Sequence, residues 1–315
     1  MKIAVLDAAT LGADIDLSPL AALGEVIAYD STAPDEVALR LADADVAVVN
    51  KIKMNEATLG NSPHISQICV TATGFDNIDL AYCRAHGIAV CNVVGYSTDS
   101  VAQITVAMAL SLFSHLPAHA ETVRSGAYTA GGVANCLVPT YHELAGKTWG
   151  IVGYGNIGRR VGLVAAAFGC RVIATKRTPC DGVTCVSLDT LCREADIISV
   201  HLPLSPQTKG IIGARELSLM KPDAILINVA RGAVVDEDAL AAAVLGGKLG
   251  GIGIDVYSTE PLSESHPLYA LRERENVLLT PHMAWGAIEA RARCVAEVAA
   301  NIAAFFGGER RNRLD

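Results

Sequence analysis

Residues 148–160 read TWGIVGYGNIGRR, and this stretch decides the fold of the chain. Its first five residues form a short apolar run of the kind that becomes a buried strand. Gly153, Gly155 and Gly158 follow in the spacing GxGxxG, and residues 156–168 are predicted to form a helix. Glycines at these points allow a tight turn, close approach of a ligand to the backbone, and close packing of helix on strand. The stretch therefore predicts a strand–turn–helix unit whose free amides hold a phosphate group.

Short apolar runs recur on both sides of this segment, and helical stretches separate them. Such alternation is typical of parallel βαβ construction. Five strands are predicted in the first part, at 2–6, 25–29, 45–49, 67–72 and 88–92. Six are predicted from residue 148 onward, at 148–152, 171–175, 196–200, 224–229, 251–256 and 277–280. The sequence therefore predicts an α/β fold with two doubly wound parallel sheets.

Two strongly apolar helices flank the second set of strands. One covers residues 101–113, where Ser100 to Gln103 resembles a capping box at the helix start, and the other covers residues 287–305. A helix that is apolar on nearly every face must be buried. The last nine residues, GGERRNRLD, are polar and are expected to fray as a tail.

The composition argues against several classes of partner. The formal net charge is −8, so we expect no general surface for nucleic acid or for an anionic membrane. The sequence contains no apolar run that approaches the roughly 18 residues of a membrane span. The start MKIAVLD lacks the longer apolar region of a signal peptide. We therefore expect a cytoplasmic protein of about two domains.

Nine cysteines are scattered through the chain without a CxxC pair. The closest group, Cys180, Cys185 and Cys192, has no regular spacing and no histidine alternating with it, so no metal site is predicted. An odd number of cysteines also argues against a complete disulfide framework. The pattern favours reduced thiols.

The residues after the second strand of the later set bear on the choice of nucleotide. In sheets that bind NAD, this strand usually ends at an acidic residue that recognises the ribose 2′-hydroxyl. Here the sequence reads Thr175-Lys176-Arg177-Thr178, and Asp181 lies further on. Lys176 and Arg177 suit the 2′-phosphate of NADP, and the alternative is a solvated basic loop. The sequence therefore predicts that NADP is tolerated or preferred.

Three later strands run into chemically active side chains. AILINV leads to Arg231, GIGIDV leads to Glu260, and VLLT leads to His282. Carboxyl ends of parallel strands share one edge of the sheet, and the glycine turn lies at that edge too. Arginine binds carboxylates, histidine transfers protons near neutral pH, and a carboxylate orients histidine. Each alone also suits a surface ion pair, a turn or a helix cap, but together they indicate hydride chemistry on a small acid.

At this point the sequence resembles a known family, the D-isomer-specific 2-hydroxyacid dehydrogenases, over nearly the whole chain. The motifs that carry the resemblance are ATGFDNIDL (72–80), GYSTDSVAQ (95–103), GKTWGIVGYGNIGR (146–159), VHLPLSPQTKGII (200–212), INVARGAVVDEDAL (227–240), GIDVYSTEP (253–261) and TPHMAWGAIEAR (280–291). The resemblance implies a flavodoxin-like substrate domain, residues 1–98 and 286–315, and a Rossmann domain, residues 99–285, that binds NAD(P)(H). It also implies a homodimer formed through residues 121–147.

The resemblance assigns roles to individual residues. Arg231 would hold the carboxylate and keto oxygen of the substrate, His282 would be the acid and base, and Glu260 would be its partner. The implied substrate contacts are Lys51, Thr73, Gly74 and Trp285. The implied cofactor contacts are Gly153, Gly155, Asn156, Ile157, Gly158, Lys176, Arg177, His201, Pro203, Thr208, Val229 and Asp255.

Several of these residues keep an alternative interpretation. Lys51 also suits an exposed loop, and Trp285 also suits a packed core. Asp255 also suits hydrogen bonds to the backbone alone. His201 is expected to shape the turn before Pro203 and not to take part in catalysis.

Two finer matches, YSTDSVAQ and PHMAW, resemble the branch of glycerate dehydrogenases, also called hydroxypyruvate reductases. This branch implies hydride transfer from NAD(P)H to hydroxypyruvate or glyoxylate, which gives D-glycerate or glycolate. One alternative is a dehydrogenase for 3-phosphoglycerate or another D-2-hydroxy acid. A second alternative, from a different class, is a corepressor-like protein that senses NAD(H).

Overall fold

The computed structural model describes residues 1–60, 62, 64–178 and 181–314. The chain divides into two compact units. One contains Met1–Ser97 and Gly286–Asp315, and the other contains Thr98–Trp285. Each unit is built on a parallel sheet whose strands are joined by helices.

The elements follow the alternation that the sequence predicts. The strands are β1 (Lys2–Val5), β2 (Glu25–Ala28), β3 (Val46–Val49), β4 (Gln67–Val70), β5 (Ala89–Cys91), β6 (Thr148–Val152), β7 (Arg171–Thr175), β8 (Thr184–Cys185), β9 (Ile197–Val200), β10 (Ile225–Asn228), β11 (Gly251–Ile254) and β12 (Val277–Leu279). The α-helices are α1 (Ser18–Ala21), α2 (Val37–Arg40), α3 (Glu56–Leu59), α4 (Leu80–Ala85), α5 (Thr98–Phe113), α6 (Leu116–Arg124), α7 (Ala127–Gly131), α8 (Asn156–Ala167), α9 (Leu188–Glu194), α10 (Ala214–Leu219), α11 (Glu237–Leu245) and α12 (Ile288–Phe306). Short 3-10 helices span Ala8–Leu11, Gly232–Val234 and Tyr269–Leu271.

The sheet of the first unit has the strand order β2-β1-β3-β4-β5. This is the flavodoxin-like order, and all five predicted strands are confirmed. Every residue of β3 and β4 is buried, as expected for inner strands that helices cover on both faces. The loops that contain Lys51 and Thr73 follow these two strands, so both loops lie at the carboxyl edge of the sheet.

The C-terminal tail packs against the first sheet, so the prediction that it frays is wrong. Leu314 N donates to Val90 O (2.9 Å), and Asn92 N donates to Asn312 O (3.3 Å). β5 is an edge strand, and its outer N–H and C=O groups need partners from outside the sheet. The tail supplies such partners. Its polar composition did not reveal this role, because the backbone makes these contacts.

The sheet of the second unit has the strand order β12-β11-β10-β9-β6-β7-β8. The chain starts at β6 in the middle, adds β7 and β8 on one side, and then adds β9 to β12 on the other side. This is the Rossmann arrangement, and the six predicted strands are confirmed. The prediction misses a seventh strand, β8, because its two residues carry no periodic pattern.

Helix α5 begins at Thr98, so the predicted capping box at Ser100–Gln103 is wrong. Ser100 lies inside the helix, and its hydroxyl donates to Ala284 O (2.6 Å). The serine therefore fixes a distant segment of the same unit and does not cap the helix. Among the described residues, no single helix is long and apolar enough to cross a membrane; α5 and α6 meet that criterion only as a pair, bent by 62°.

Candidate active site

The glycine turn joins β6 to α8 in the second unit. Gly153 has a φ of 99°, which other residues rarely adopt, and a Cβ there would lie 2.9 Å from the carbonyl carbon of His201. A Cβ on Gly158 would lie 2.3 Å from Gly153 O. By contrast, a Cβ on Gly155 would meet no atom within 4 Å, so this residue faces open space at the start of α8. The free amides of a twelve-residue helix face that space, which fits a pyrophosphate.

Other predicted cofactor residues lie along the same edge of the sheet. Asn156 and Ile157 form the first turn of α8; the first is exposed, and the second packs against the core. Val229 is buried directly after β10. The hydroxyl of Thr208 donates to Pro203 O (2.6 Å), so this side chain stabilises its own turn.

The basic pair Lys176 and Arg177 directly follows β7, and both residues are exposed. In the pairing of β7 with β6, Val152 lies opposite Thr175, and Gly153 N donates to Thr175 O (3.1 Å). The basic pair therefore begins next to the glycine turn. NAD-binding sheets usually present a carboxylate at this strand end.

His201 follows β9 and is held by a buried hydroxyl. Its Nε2 lies 3.0 Å from Ser199 Oγ, and Trp149 Nε1 donates to the same oxygen (3.0 Å). Burial lowers the pKa of His201 to about 3, so the ring is neutral and is not an acid or base near neutral pH. Its Nδ1 is buried without a hydrogen-bond partner in the described part of the chain. An orphaned nitrogen beside the glycine turn fits a bound dinucleotide.

Arg231 follows β10 in a turn that is stabilised by hydrogen bonds and by close packing on a neighbouring loop. Its Nη1 donates to Ala230 O (2.8 Å), and Asn228 Nδ2 donates to Arg231 O (2.9 Å). A Cβ on Gly232 would come within 2.0 Å of the carbonyl carbon of Tyr257. Only glycine allows this approach, so the arginine turn packs directly on the loop that follows β11. The sequence prediction did not include Asn228, although a polar residue at the end of an apolar strand was a signal.

Glu260, in the loop after β11, contacts His282, which follows β12. His282 Nδ1 lies 2.9 Å and 2.8 Å from the two carboxylate oxygens of Glu260. The side chains of His282 and Glu260 are 20% and 28% exposed. His282 has a φ of 53°, which is uncommon for a residue with a side chain. Because a carboxylate only accepts hydrogen bonds, Nδ1 carries a proton, and the orientation of the ring is fixed.

Asp255 follows β11 and holds the turn that carries His282. Its carboxylate accepts from Thr280 Oγ1 (2.6 Å), Met283 N (2.9 Å) and Ala284 N (2.9 Å). Asp255 is 1% exposed, and burial raises its pKa. These contacts fit the alternative interpretation, in which Asp255 bonds to the backbone. A contact between Asp255 and the nicotinamide stays a prediction.

Tyr257 links the Glu260 loop to the His282 turn, and the sequence prediction did not include it. Its backbone N donates to Glu260 Oε1 (3.2 Å), and its hydroxyl donates to Thr280 O (3.0 Å). Burial, with the negative charges nearby, raises the pKa of Tyr257 to about 12, so the hydroxyl stays protonated and donates. The one signal in the sequence is its place between Asp255 and Glu260.

The predicted substrate contacts of the first unit lie in loops that are held by hydrogen bonds. Lys51 is exposed, and its backbone N donates to Asp7 Oδ2 (2.7 Å). Burial raises the pKa of Asp7. The hydroxyl of Thr73 donates to Val93 O (2.7 Å), and Gly74 follows in the same loop. Ligands bind at this edge in sheets of this type.

The remaining sequence candidates are a tryptophan and the cysteine group. Trp285 is partly buried and packs against the core of the second unit. Cys185 and Cys192 are free thiols, and Cys180 lies outside the described residues. Within the described ranges, no group of three or more His, Cys, Asp or Glu residues is arranged to hold a metal ion.

The second unit thus combines a Rossmann sheet, an open glycine turn, an arginine turn and a carboxylate–imidazole pair at one edge. These features define a nicotinamide-dependent oxidoreductase. Residues 106–284 match the family model described as D-isomer specific 2-hydroxyacid dehydrogenase, NAD binding domain. The chain belongs to this family, as its motifs predict, and it is an NAD(P)-linked 2-hydroxyacid oxidoreductase.

Relatives with assigned activities cover nearly the full chain. The chain is 37% identical to a glycerate dehydrogenase of Methylorubrum extorquens over 288 residues, and this alignment covers 91% of each protein. It is 35% identical to a hydroxypyruvate reductase of Blautia hydrogenotrophica over 317 residues, and this alignment covers 98% of each protein. Among solved structures, an acyclic imino acid reductase in complex with NADPH and D-Arg has a TM-score of 0.89, with 28% identity and 100% of both chains covered.

Proposed function

We propose that the enzyme reduces hydroxypyruvate to D-glycerate and glyoxylate to glycolate. The observation that carries the proposal is the contact of 2.8 Å between Glu260 and His282, in the same unit as the Arg231 turn. Reduction of a 2-keto acid needs a cation for the carboxylate and a proton donor for the keto oxygen. The names of the two relatives support this substrate class.

A dinucleotide whose pyrophosphate is held at the glycine turn would supply, from its nicotinamide ring, the hydride for the keto carbon. In our proposal, the Arg231 guanidinium binds the substrate carboxylate and polarises the keto oxygen. Because Glu260 holds His282 Nδ1, we assign to Nε2 the transfer of a proton to the developing alkoxide. The Glu260 carboxylate stabilises the positively charged ring before that transfer.

The proposal extends to the first unit, which we take as the substrate domain, with the second unit as the nucleotide domain. We assign the backbone amides of Thr73 and Gly74 to the substrate carboxylate and Lys51 to the attraction of a small polar acid. We assign Trp285, in the second unit, to a wall of the pocket. The Asp7 bond that fixes the backbone of Lys51 supports its assignment, because it holds the loop in one place.

We propose that Lys176 and Arg177 bind the 2′-phosphate of NADP. Replacing both in Lys176→Ala/Arg177→Ala is expected to lower kcat/KM for NADPH by at least about tenfold, because a charge-assisted hydrogen bond contributes about 1.5–3 kcal/mol. The kcat/KM for NADH should change little. Equal losses with both nucleotides, or a wild-type protein that strongly prefers NADH, would contradict the assignment.

We also propose that two copies of the chain associate through residues 121–147. The residues of α6 and α7, all of them described, include none that is buried. The large apolar side chains exposed in this part of the chain are Leu116, Val123, Tyr128, Val133, Leu137, Val138 and Tyr141. An exposed apolar surface of this kind marks a protein–protein interface. Light scattering after gel filtration should give the mass of two chains, and a monomer at micromolar concentration would contradict the proposal.

A cytoplasmic location is a further proposal. It is supported by the eight cysteines of the described residues, all of which are free thiols. Thiols persist in a reducing compartment. Fractionation of cells that express the protein tests the location.

Initial rates at 340 nm test the substrate proposal. Hydroxypyruvate, glyoxylate, pyruvate and 3-phosphohydroxypyruvate would each be assayed with NADPH and with NADH. We expect the highest kcat/KM with hydroxypyruvate or glyoxylate. A higher value with the phosphorylated acid would favour a 3-phosphoglycerate dehydrogenase. Binding of the nucleotide without turnover of any acid would favour the NAD(H) sensor.

A further inference from the structure

A second glutamate–histidine pair lies next to the loop that carries Glu260. Glu237 is the first residue of α11, and its Oε2 lies 3.0 Å from His266 Nε2. The two side chains are 9% and 5% exposed, and they are called the buried pair below. Removing a carboxylate from water costs free energy unless hydrogen bonds compensate for it. The contacts of the buried pair show where that compensation comes from.

All the polar atoms of the buried pair are engaged. Leu268 N donates to His266 Nδ1 (3.3 Å), so Nδ1 carries no proton, and Nε2 donates to Glu237. The second carboxylate oxygen of Glu237, Oε1, accepts from Ser258 N (2.9 Å). The histidine is therefore a fixed neutral ring, and the carboxylate bridges it to a loop amide.

The loop that receives these contacts is the one that orients Glu260. Ser258 follows Tyr257, whose backbone N donates to Glu260 Oε1 (3.2 Å). The ring of Tyr257 packs edge-on against His266, with 5.8 Å between the ring centroids. The hydroxyl of the same tyrosine donates to Thr280 O (3.0 Å), at the start of the turn after β12. The buried pair thus contacts both the backbone and a side chain of the loop.

We propose that Glu237 and His266 are positioning residues, which hold the Glu260 loop so that its carboxylate meets His282. This inference rests on the proposed acid–base role of Glu260 and His282. The buried pair acts through Ser258 and Tyr257 and has no contact with the reacting atoms. It makes the loop after β11 rigid, and rigidity matters because a catalytic group displaced by about 1 Å can lose about 10²-fold in rate.

The isosteric variant Glu237→Gln tests the proposal, since glutamine cannot accept from both Ser258 N and His266 Nε2. We expect kcat to fall roughly tenfold, with the KM for the nucleotide unchanged. In Glu237→Gln the Glu260 carboxylate is expected to shift away from His282 Nδ1, and in Glu260→Gln that carboxylate is absent, so both variants weaken the same contact.

A double-mutant cycle separates positioning from stability. The variant Glu237→Gln/Glu260→Gln should be no slower than Glu260→Gln alone, because both substitutions act through one carboxylate. His266→Gln keeps a donor for Glu237 and should retain most of the kcat that His266→Ala loses. Glu216→Gln is the matched control, because Glu216 is a first-turn glutamate of α10 that accepts from Gly213 N (3.1 Å). It should lose stability in urea without lowering kcat.

Each outcome decides a different claim. If Glu237→Gln keeps the wild-type kcat, or if its loss of kcat adds fully to that of Glu260→Gln, the positioning role is wrong while the role of Glu260 stands. If Glu260→Gln itself keeps the wild-type kcat, the proposed function is wrong as well. If Glu237→Gln does not fold, the comparison of His266→Gln with His266→Ala tests the positioning role instead. Equal losses of kcat in these two variants would overturn the inference.

Discussion

The two glutamate–histidine pairs of the second unit use the same side chains in different ways. In the first, both oxygens of Glu260 contact Nδ1 of His282, and the side chains are 28% and 20% exposed. In the second, one oxygen of Glu237 contacts Nε2 of His266, and the side chains are 9% and 5% exposed. Exposure and the choice of ring nitrogen, more than residue type, distinguish the proposed catalytic pair from the buried pair.

The backbone around each histidine explains the difference. His282 lies in a turn with a φ of 53°, which Asp255 holds through the amides of Met283 and Ala284. His266 lies just before a short 3-10 helix and accepts from Leu268 N, so its second nitrogen is used inside the fold. The two histidines therefore differ in how the backbone is used: amides hold the turn of His282 through Asp255, whereas a backbone amide binds the ring of His266 itself.

The largest expected effect comes from His282→Ala. The kcat for hydroxypyruvate should fall about 10²–10⁴-fold, because the alkoxide loses its positioned proton donor. Initial rates at 340 nm measure the loss, and thermal unfolding checks that the variant is folded. A folded variant with a kcat near that of the wild type would remove the distinction between the two pairs.

Glu260→Gln should have the next largest effect, on the order of 10²-fold in kcat, because the ring loses both its orientation and its negative partner. Glu297→Gln is a control at an ion pair with Arg311 in the first unit, and its kcat should not change. Equal effects in the two variants would mean that the carboxylate of Glu260 has no special role.

The smallest effect is expected from Tyr257→Phe, which removes the hydroxyl bond to Thr280 O and keeps the ring against His266. We expect a loss of about 0.5–1.5 kcal/mol in the free energy of unfolding, with only a severalfold fall in kcat. Urea denaturation and initial rates give the two values. Tyr269→Phe, at an exposed hydroxyl, is the matched control. If Tyr257→Phe lowers kcat more than Glu260→Gln does, the tyrosine hydroxyl has a direct role in the reaction.

The strands of the two sheets could be predicted because an apolar run of about five residues must be buried, whichever strand it pairs with. The two-residue strand β8 and the tail residue Arg313, which forms an isolated bridge with Cys91, lack such a run, and each depends on the sheet edge beside which it lies. Ser100 shows the same limit. A serine followed three residues later by glutamine has the pattern of a cap, yet its real partner is Ala284 O, 184 residues away.

The arginine, carboxylate and histidine could be placed together because neighbouring parallel strands end at one edge. The groups that hold these three residues in place could not be predicted in the same way. Glu237 and His266 are 29 residues apart, and nothing in the spacing pairs them. Tyr257 and Asp255 likewise act through backbone oxygens and amides, which every residue possesses and which no motif records.

The most direct test of the account is the pH dependence of kcat/KM for hydroxypyruvate reduction, measured in the wild type and in His282→Ala. We expect the wild-type rate to decline at alkaline pH, since the imidazole must be protonated to donate, and we expect that decline to be absent from the variant. An alkaline decline that persists unchanged in His282→Ala would contradict the assignment of this histidine as the proton donor.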